Sequence, residues 1–93
     1  MKNKVVFAEL AFIEGKITYK VNGSTYEVKE NLKKIGFEWV PWHSQWEMVL
    51  TGTRKEIVAK AKELTRQIEA FVVVDFSARA SNISLDKAFA EKE

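Results

Sequence analysis

Lys16-Ile17-Thr18-Tyr19-Lys20-Val21-Asn22-Gly23 alternates polar and apolar residues and ends in the dipeptide best suited to a positive φ in a tight turn. A period of two marks a strand with one buried face. Ile17, Tyr19 and Val21 are therefore expected on one side, with Lys16, Thr18 and Lys20 on the other. Upstream, Val5 to Ile13 is rich in β-branched and aromatic residues, and Glu14-Gly15 can turn it toward Lys16. Two strands in sequence are expected.

Downstream the period changes. Val28, Leu32 and Ile35 recur at spacings of four and three, which predicts a short helix from Glu27 to Ile35. Ser24 or Thr25 can cap its start, and Gly36 stands where helices end in a left-handed residue. Phe37 to Val40 and Gln45 to Leu50 read as a second strand pair joined by Pro41-Trp42-His43-Ser44. Pro41 lacks a backbone donor and so belongs at the strand end or in the turn. Thr53 with Glu56 has the spacing of a capping box. Ile57, Ala61, Leu64, Ile68 and Phe71 then form the apolar stripe of an amphipathic helix. Val72 to Phe76 fits either a strand or more helix. Ser77 to Asn82 reads as a loop, and Ser84 can cap a short helix from Leu85 to Glu91. The predicted fold is α+β: a four-stranded antiparallel sheet in ββαββα order, with a long amphipathic helix and a C-terminal extension. Residues 1–76 are expected to form one domain, with 77–93 an extension that is a short helix or disordered.

Ninety-three residues, 46% of them apolar, suffice for one core and not two. A core of that size is marginal, so association of copies is expected, through Ile57, Leu64, Ile68 and Phe71 of the helical stripe. Fifteen Lys and Arg against thirteen Asp and Glu leave a net charge of only +2. An anionic partner must therefore meet a local patch rather than a global field. The chain has no cysteine, which removes disulfides and thiolate metal sites and fits a cytoplasmic location. No apolar run reaches the ~18–20 residues of a membrane span, so no membrane is expected.

Catalysis finds little support. A single histidine, His43, has no second His or Cys to share a metal with, and no glycine-rich phosphate loop is present. Neither an enzyme nor a cofactor or metal is expected. The stretch Gly36-Phe37-Glu38-Trp39-Val40-Pro41-Trp42-His43-Ser44-Gln45-Trp46 is more informative, because it holds all three tryptophans of the chain. Lys33 and Lys34 precede it, and Arg54 and Lys55 follow. Unpaired bases stack on indole faces, while the phosphates between them attract Lys and Arg. Trp39 and Trp46 can serve either as a cross-strand core pair or as stacking platforms. Trp42, in a turn after proline, has no evident core role and suits a contact with a nucleic acid or with another protein.

The pattern of a Tyr-led short helix (Tyr26), then Gly36-Phe37-Glu38-Trp39, Pro41 and a closing Trp46 resembles a small module found in proteins that handle DNA. With the following long helix, Lys16 to Phe71 resembles the archaeal ThermoDBP-related single-stranded DNA-binding proteins. That resemblance implies an antiparallel sheet wrapped by helices in place of an OB barrel, subunits that associate, and DNA contacts from Trp39, Trp42, Trp46 and nearby cations. The Trp42-His43 pair departs from the polar or acidic residues such modules often carry there.

These readings converge on a sequence-tolerant single-stranded DNA-binding protein that forms a homo-oligomer. Trp39, Trp42, Trp46 and Tyr19, with His43 beside them, form the expected aromatic set. Lys20, Lys33, Lys34, Arg54, Lys55 and Arg66 are the expected phosphate contacts. RNA in place of DNA, and an accessory subunit that docks another protein through the aromatic turn and the α-helical stripe, are the alternatives.

Overall fold

In the computed structural model, which describes residues 4–76, the predicted alternation becomes a sheet with helices on one side. Strands β1 (Val5–Ile13) and β2 (Lys16–Gly23) pair antiparallel, setting Ala8 opposite Val21 and Leu10 opposite Tyr19. A single 3-10 turn, Tyr26–Val28, leads into helix α1 (Lys29–Ile35). Strands β3 (Glu38–Val40) and β4 (Gln45–Val49), helix α2 (Arg54–Glu69) and strand β5 (Val73–Phe76) complete the order.

The sheet corrects the predicted architecture. It has five strands in the order β3-β4-β2-β1-β5 and is mixed, because β5 runs parallel to β1. It is therefore not the four-stranded antiparallel ββαββα sheet. The open choice at Val72–Phe76 resolves as strand, and the reason is topological. Strand β4 points the same way as β1, so a helix that leaves β4 and crosses the sheet delivers the chain parallel to β1. The strand begins at Val73, since the Val72 amide still bonds back to the Ile68 carbonyl, and the β-branched Val73 and Val74 then pair well on a pleated edge. The expected C-terminal extension and its helix, Leu85 to Glu91, lie outside the described residues.

The helix-covered face carries the core. Val6, Ala8 and Leu10 of β1, Ile17, Tyr19 and Val21 of β2, and Trp46 of β4 pack with Leu32 and Phe37 and with Ile57, Ala61, Leu64 and Ile68 of α2. Each of the larger apolar side chains among them contributes about 1.5–3 kcal/mol on burial. Three residues of the stripe expected to serve oligomerisation, Ile57, Leu64 and Ile68, are thus buried inside their own subunit, with Phe71 packed against the same core. They form no outward surface.

The helix ends follow from local chemistry. The predicted capping box forms: Thr53 Oγ1 accepts from the Glu56 amide at 3.2 Å, and the Thr53 amide donates to Glu56 Oε1 at 2.9 Å. Hydrogen bonding from Thr53 to the exposed Glu56 carboxyl, chiefly from the Thr53 backbone amide, holds that carboxyl below its ordinary value. Gly36, at φ +122°, ends α1, where its own amide and that of Phe37 reach back to Lys33 and Leu32 carbonyls in a Schellman arrangement. Neither Ser24 nor Thr25 caps the other end of α1 through its side chain, because the 3-10 turn intervenes.

Candidate nucleic-acid interface

The aromatic hairpin is built as the sequence predicted. Register pairs Trp39 with Trp46 across β3 and β4, and their rings meet edge-on at 5.6 Å between centroids. An edge-to-face pair of this kind adds about 0.5–1.5 kcal/mol beyond burial. The two indoles differ in role. Trp46 is buried, 5% exposed, whereas Trp39 on the short edge strand leaves 47% of its surface to water. The choice between core pair and stacking platform divides between them.

Beside that pair lies a cleft of about 420 Å³, lined by Gly23, Thr25, Tyr26, Lys29, Lys33, Trp39 and Trp46. One wall is aromatic, from the edge of the sheet. The other comes from the 3-10 turn and α1, which start directly after β2. Gly23 allows that close exit: it has φ +94°, and a Cβ there would stand 2.9 Å from the Phe7 ring and 3.1 Å from the Val5 carbonyl oxygen. Tyr26 is 77% exposed, and Lys29 Nζ sits 4.2 Å from its ring centroid as a cation–π contact. Lys33 stands one helical turn on from Lys29, with Glu30 at 3.4 Å. The cleft thus joins an exposed indole, an exposed phenol and two cations within a volume typical of small-ligand sites.

Of the predicted contact residues, Trp39, Trp46 and Lys33 meet in this cleft; the others do not. Trp42 is exposed at the hairpin tip and lies outside it. Tyr19 belongs to the core with no exposed surface, so it cannot stack on a base. Its hydroxyl lies 2.7 Å from Thr65 Oγ1, which in turn donates to the Ala61 carbonyl at 2.8 Å, so Tyr19 is the donor of the first bond. Burial pushes the Tyr19 hydroxyl up to about 12; the Thr65 hydrogen bond opposes that rise and the Glu69 charge adds to it.

Lys20 and His43 point to the helix-free side of the sheet. Lys20 Nζ pairs with Glu9 at 2.6 Å, while His43 faces Glu47 and Glu14. Lys34 is exposed on α1 without lining the cleft, and Arg54 and Lys55 begin α2. Arg66, at the far end of α2, lies 3.5 Å from Glu63.

Sequence reasoning passed over Tyr26 and Lys29 as contacts. The signal available was the Tyr-led start of the first helix, followed by lysines four residues apart, but only the three-dimensional return of the hairpin sets them opposite Trp39. Among the described residues, no group of His, Cys, Asp or Glu is placed to hold a metal, and no helix is long and apolar enough to cross a membrane.

No protein-family model, curated protein or solved structure matches the chain. The cleft is therefore read from its own chemistry.

Proposed function

We propose that this chain binds single-stranded DNA without strong sequence preference and without catalysis. Bases stack on Trp39 and Tyr26, and Lys29 and Lys33 face the phosphates. The observation that carries the reading is the cleft, where exposed π-faces and ammonium groups share one small volume. Base–aromatic stacking contributes about 1–3 kcal/mol per base and tolerates any base, because every base has a π-face. Lys34 on α1 and Trp42 at the hairpin tip are exposed outside the cleft and are the further contacts this reading allows for a longer strand. The resemblance of Lys16 to Phe71 to the ThermoDBP-related proteins belongs to this proposal, as does a cytoplasmic location, which the absence of cysteine favours.

Charge supports the choice of side. The helix-free face brings Glu9, Glu38, Glu47 and Asp75 together with Lys16 and Lys20, a balance that disfavours phosphate there. The expected homo-oligomer stays within the proposal with a changed surface, since the α2 stripe is internal. The exposed apolar side chains Phe7, Val49 and Val73 lie on that helix-free face instead. Sedimentation across a concentration series reads it, and a constant 10.7 kDa species would remove it.

The test is a titration of the protein with dT oligonucleotides, followed by tryptophan fluorescence at low and moderate salt. Quenching with an affinity that falls as salt rises is expected; unchanged fluorescence and no gel shift at low salt would remove the proposal. Matched duplex and RNA strands in the same series separate single-stranded DNA from the other nucleic acids.

A further inference from the structure

We infer that His43 is a positioning residue: it braces the β3–β4 turn and thereby sets where the Trp42 indole stands. Its geometry is independent of the proposed function, while its consequence for binding rests on that reading.

The turn Pro41–Ser44 is closed by its backbone and by the Ser44 hydroxyl, which donates to the Pro41 carbonyl at 3.4 Å. The His43 amide donates to the Val40 carbonyl and the Ser44 amide to the Pro41 carbonyl, both at 3.1 Å, and Ser44 sits at φ +54°. At its outer corner Trp42 is 75% exposed, and its ring lies 6.0 Å from the His43 ring, edge to face. The imidazole adds a side-chain tie from the turn to β4. Its Nδ1 is 2.6 Å from Glu47 Oε2 and its Nε2 is 3.7 Å from Glu14 Oε1. The Glu47 anchor is itself fixed, because the same oxygen accepts from Gln45 Nε2 at 2.7 Å on a mostly buried strand position. Glu14 belongs to the β1–β2 turn, so the ring bonded to Glu47 also stands beside a carboxylate from a turn distant in sequence.

The same contacts argue against His43 touching a phosphate. Both ring nitrogens face carboxylates, and Glu38 stands opposite Glu47 in the strand register. An anion approaching the ring would meet Glu14, Glu38 and Glu47. With its proton on Nδ1, the ring donates to Glu47 Oε2. The brace thus limits the positions open to Trp42 before any ligand arrives, which is preorganisation.

Labelling with 5-fluorotryptophan tests this, since the three tryptophans give three fluorine resonances and the one that disappears in Trp42→Ala is that of Trp42. His43→Ala is expected to shift and sharpen the Trp42 signal while leaving those of Trp39 and Trp46 in place. It is also expected to weaken dT binding by about two- to fivefold, the effect of losing one ordering hydrogen bond. The double variant Trp42→Ala/His43→Ala should bind like Trp42→Ala alone, because His43 acts only through Trp42. An unmoved Trp42 resonance in His43→Ala overturns the inference, as do additive losses in the double variant, which would mean direct contact. Should His43→Ala fail to fold, Glu47→Ala removes the same anchor from its other end and is read on the same resonance. If Trp42→Ala alone leaves dT affinity unchanged, the binding role of Trp42 falls, while the fluorine signal still decides the brace.

Discussion

Trp39→Ala is the change that most directly probes the cleft. The indole is half exposed, forms the aromatic wall opposite Tyr26, and packs edge-on against the buried Trp46. If bases stack there as proposed, removing it takes away about 1–3 kcal/mol and should weaken dT affinity by about 5- to 150-fold. The fold should survive, since the aromatic pair contributes about 0.5–1.5 kcal/mol beyond burial and the half-exposed ring sits on a three-residue edge strand rather than in the core. Charge and stacking separate in the salt dependence. Trp39→Ala removes no cation, so the slope of log affinity against log salt stays as in the parent. Lys29→Ala or Lys33→Ala should flatten that slope by about 0.7 for each phosphate left without its lysine. Fluorescence anisotropy of a labelled dT strand at four salt concentrations, with a thermal melt of each variant, gives both quantities. A Trp39→Ala protein that melts normally and binds within twofold of the parent would refute the stacking role. A flattened salt slope in that variant would show that the indole positions cations instead.

Other expectations concern the frame beneath the cleft. Leu64→Ala, in the middle of the α2 stripe, should lose about 2–5 kcal/mol in chemical denaturation, with no change in oligomeric state beyond that due to unfolding. Tyr19 gives a sign in alkali. Its hydroxyl ionises in the unfolded chain near 10 and in the folded protein at about 12, so stability is intact below the lower value and falls as pH rises between the two, by about 2–3 kcal/mol in all. Tyr19→Phe should abolish that fall, and an unchanged alkaline midpoint in the variant would contradict it. Glu56 works in the opposite direction. Its carboxyl is held low by Thr53, so its contribution is present above the ordinary value of 4.5 and fades as pH falls below it. Glu56→Gln should remove this acid dependence, because the carboxyl that the Thr53 amide holds low is gone, and melts at descending pH can measure it.

Much of the frame was legible because it is set by neighbours in the chain. The alternation at Lys16–Val21 predicted that Ile17, Tyr19 and Val21 share a face, and all three are buried together. The Thr53–Glu56 spacing predicted a cap that forms, and hairpin symmetry predicted the Trp39–Trp46 pair. The candidate site was harder. Tyr19 shows why: its period placed it correctly with the core residues, yet its aromatic character also marked it as a contact, and the packed α2 above it settled the matter through Thr65. Lys20 and His43 carry the right charge and ring for a nucleic acid, but both stand on the side of the sheet where Glu9, Glu14 and Glu47 engage them.

The sequence by itself determined the first four strands, the two helices, the capping box of α2, the glycine end of α1 and which residues share a face, because these depend on periods of two or about four residues and on bonds within a single turn. Only the tertiary structure decided that Val73–Phe76 lies beside Val5–Ala8, which face the helices cover, and that Tyr26 and Lys29 meet Trp39 across a cleft. Those outcomes rest on contacts between segments far apart in the chain, where loop closure and competition for one shared core select the arrangement, and no local pattern records the winner.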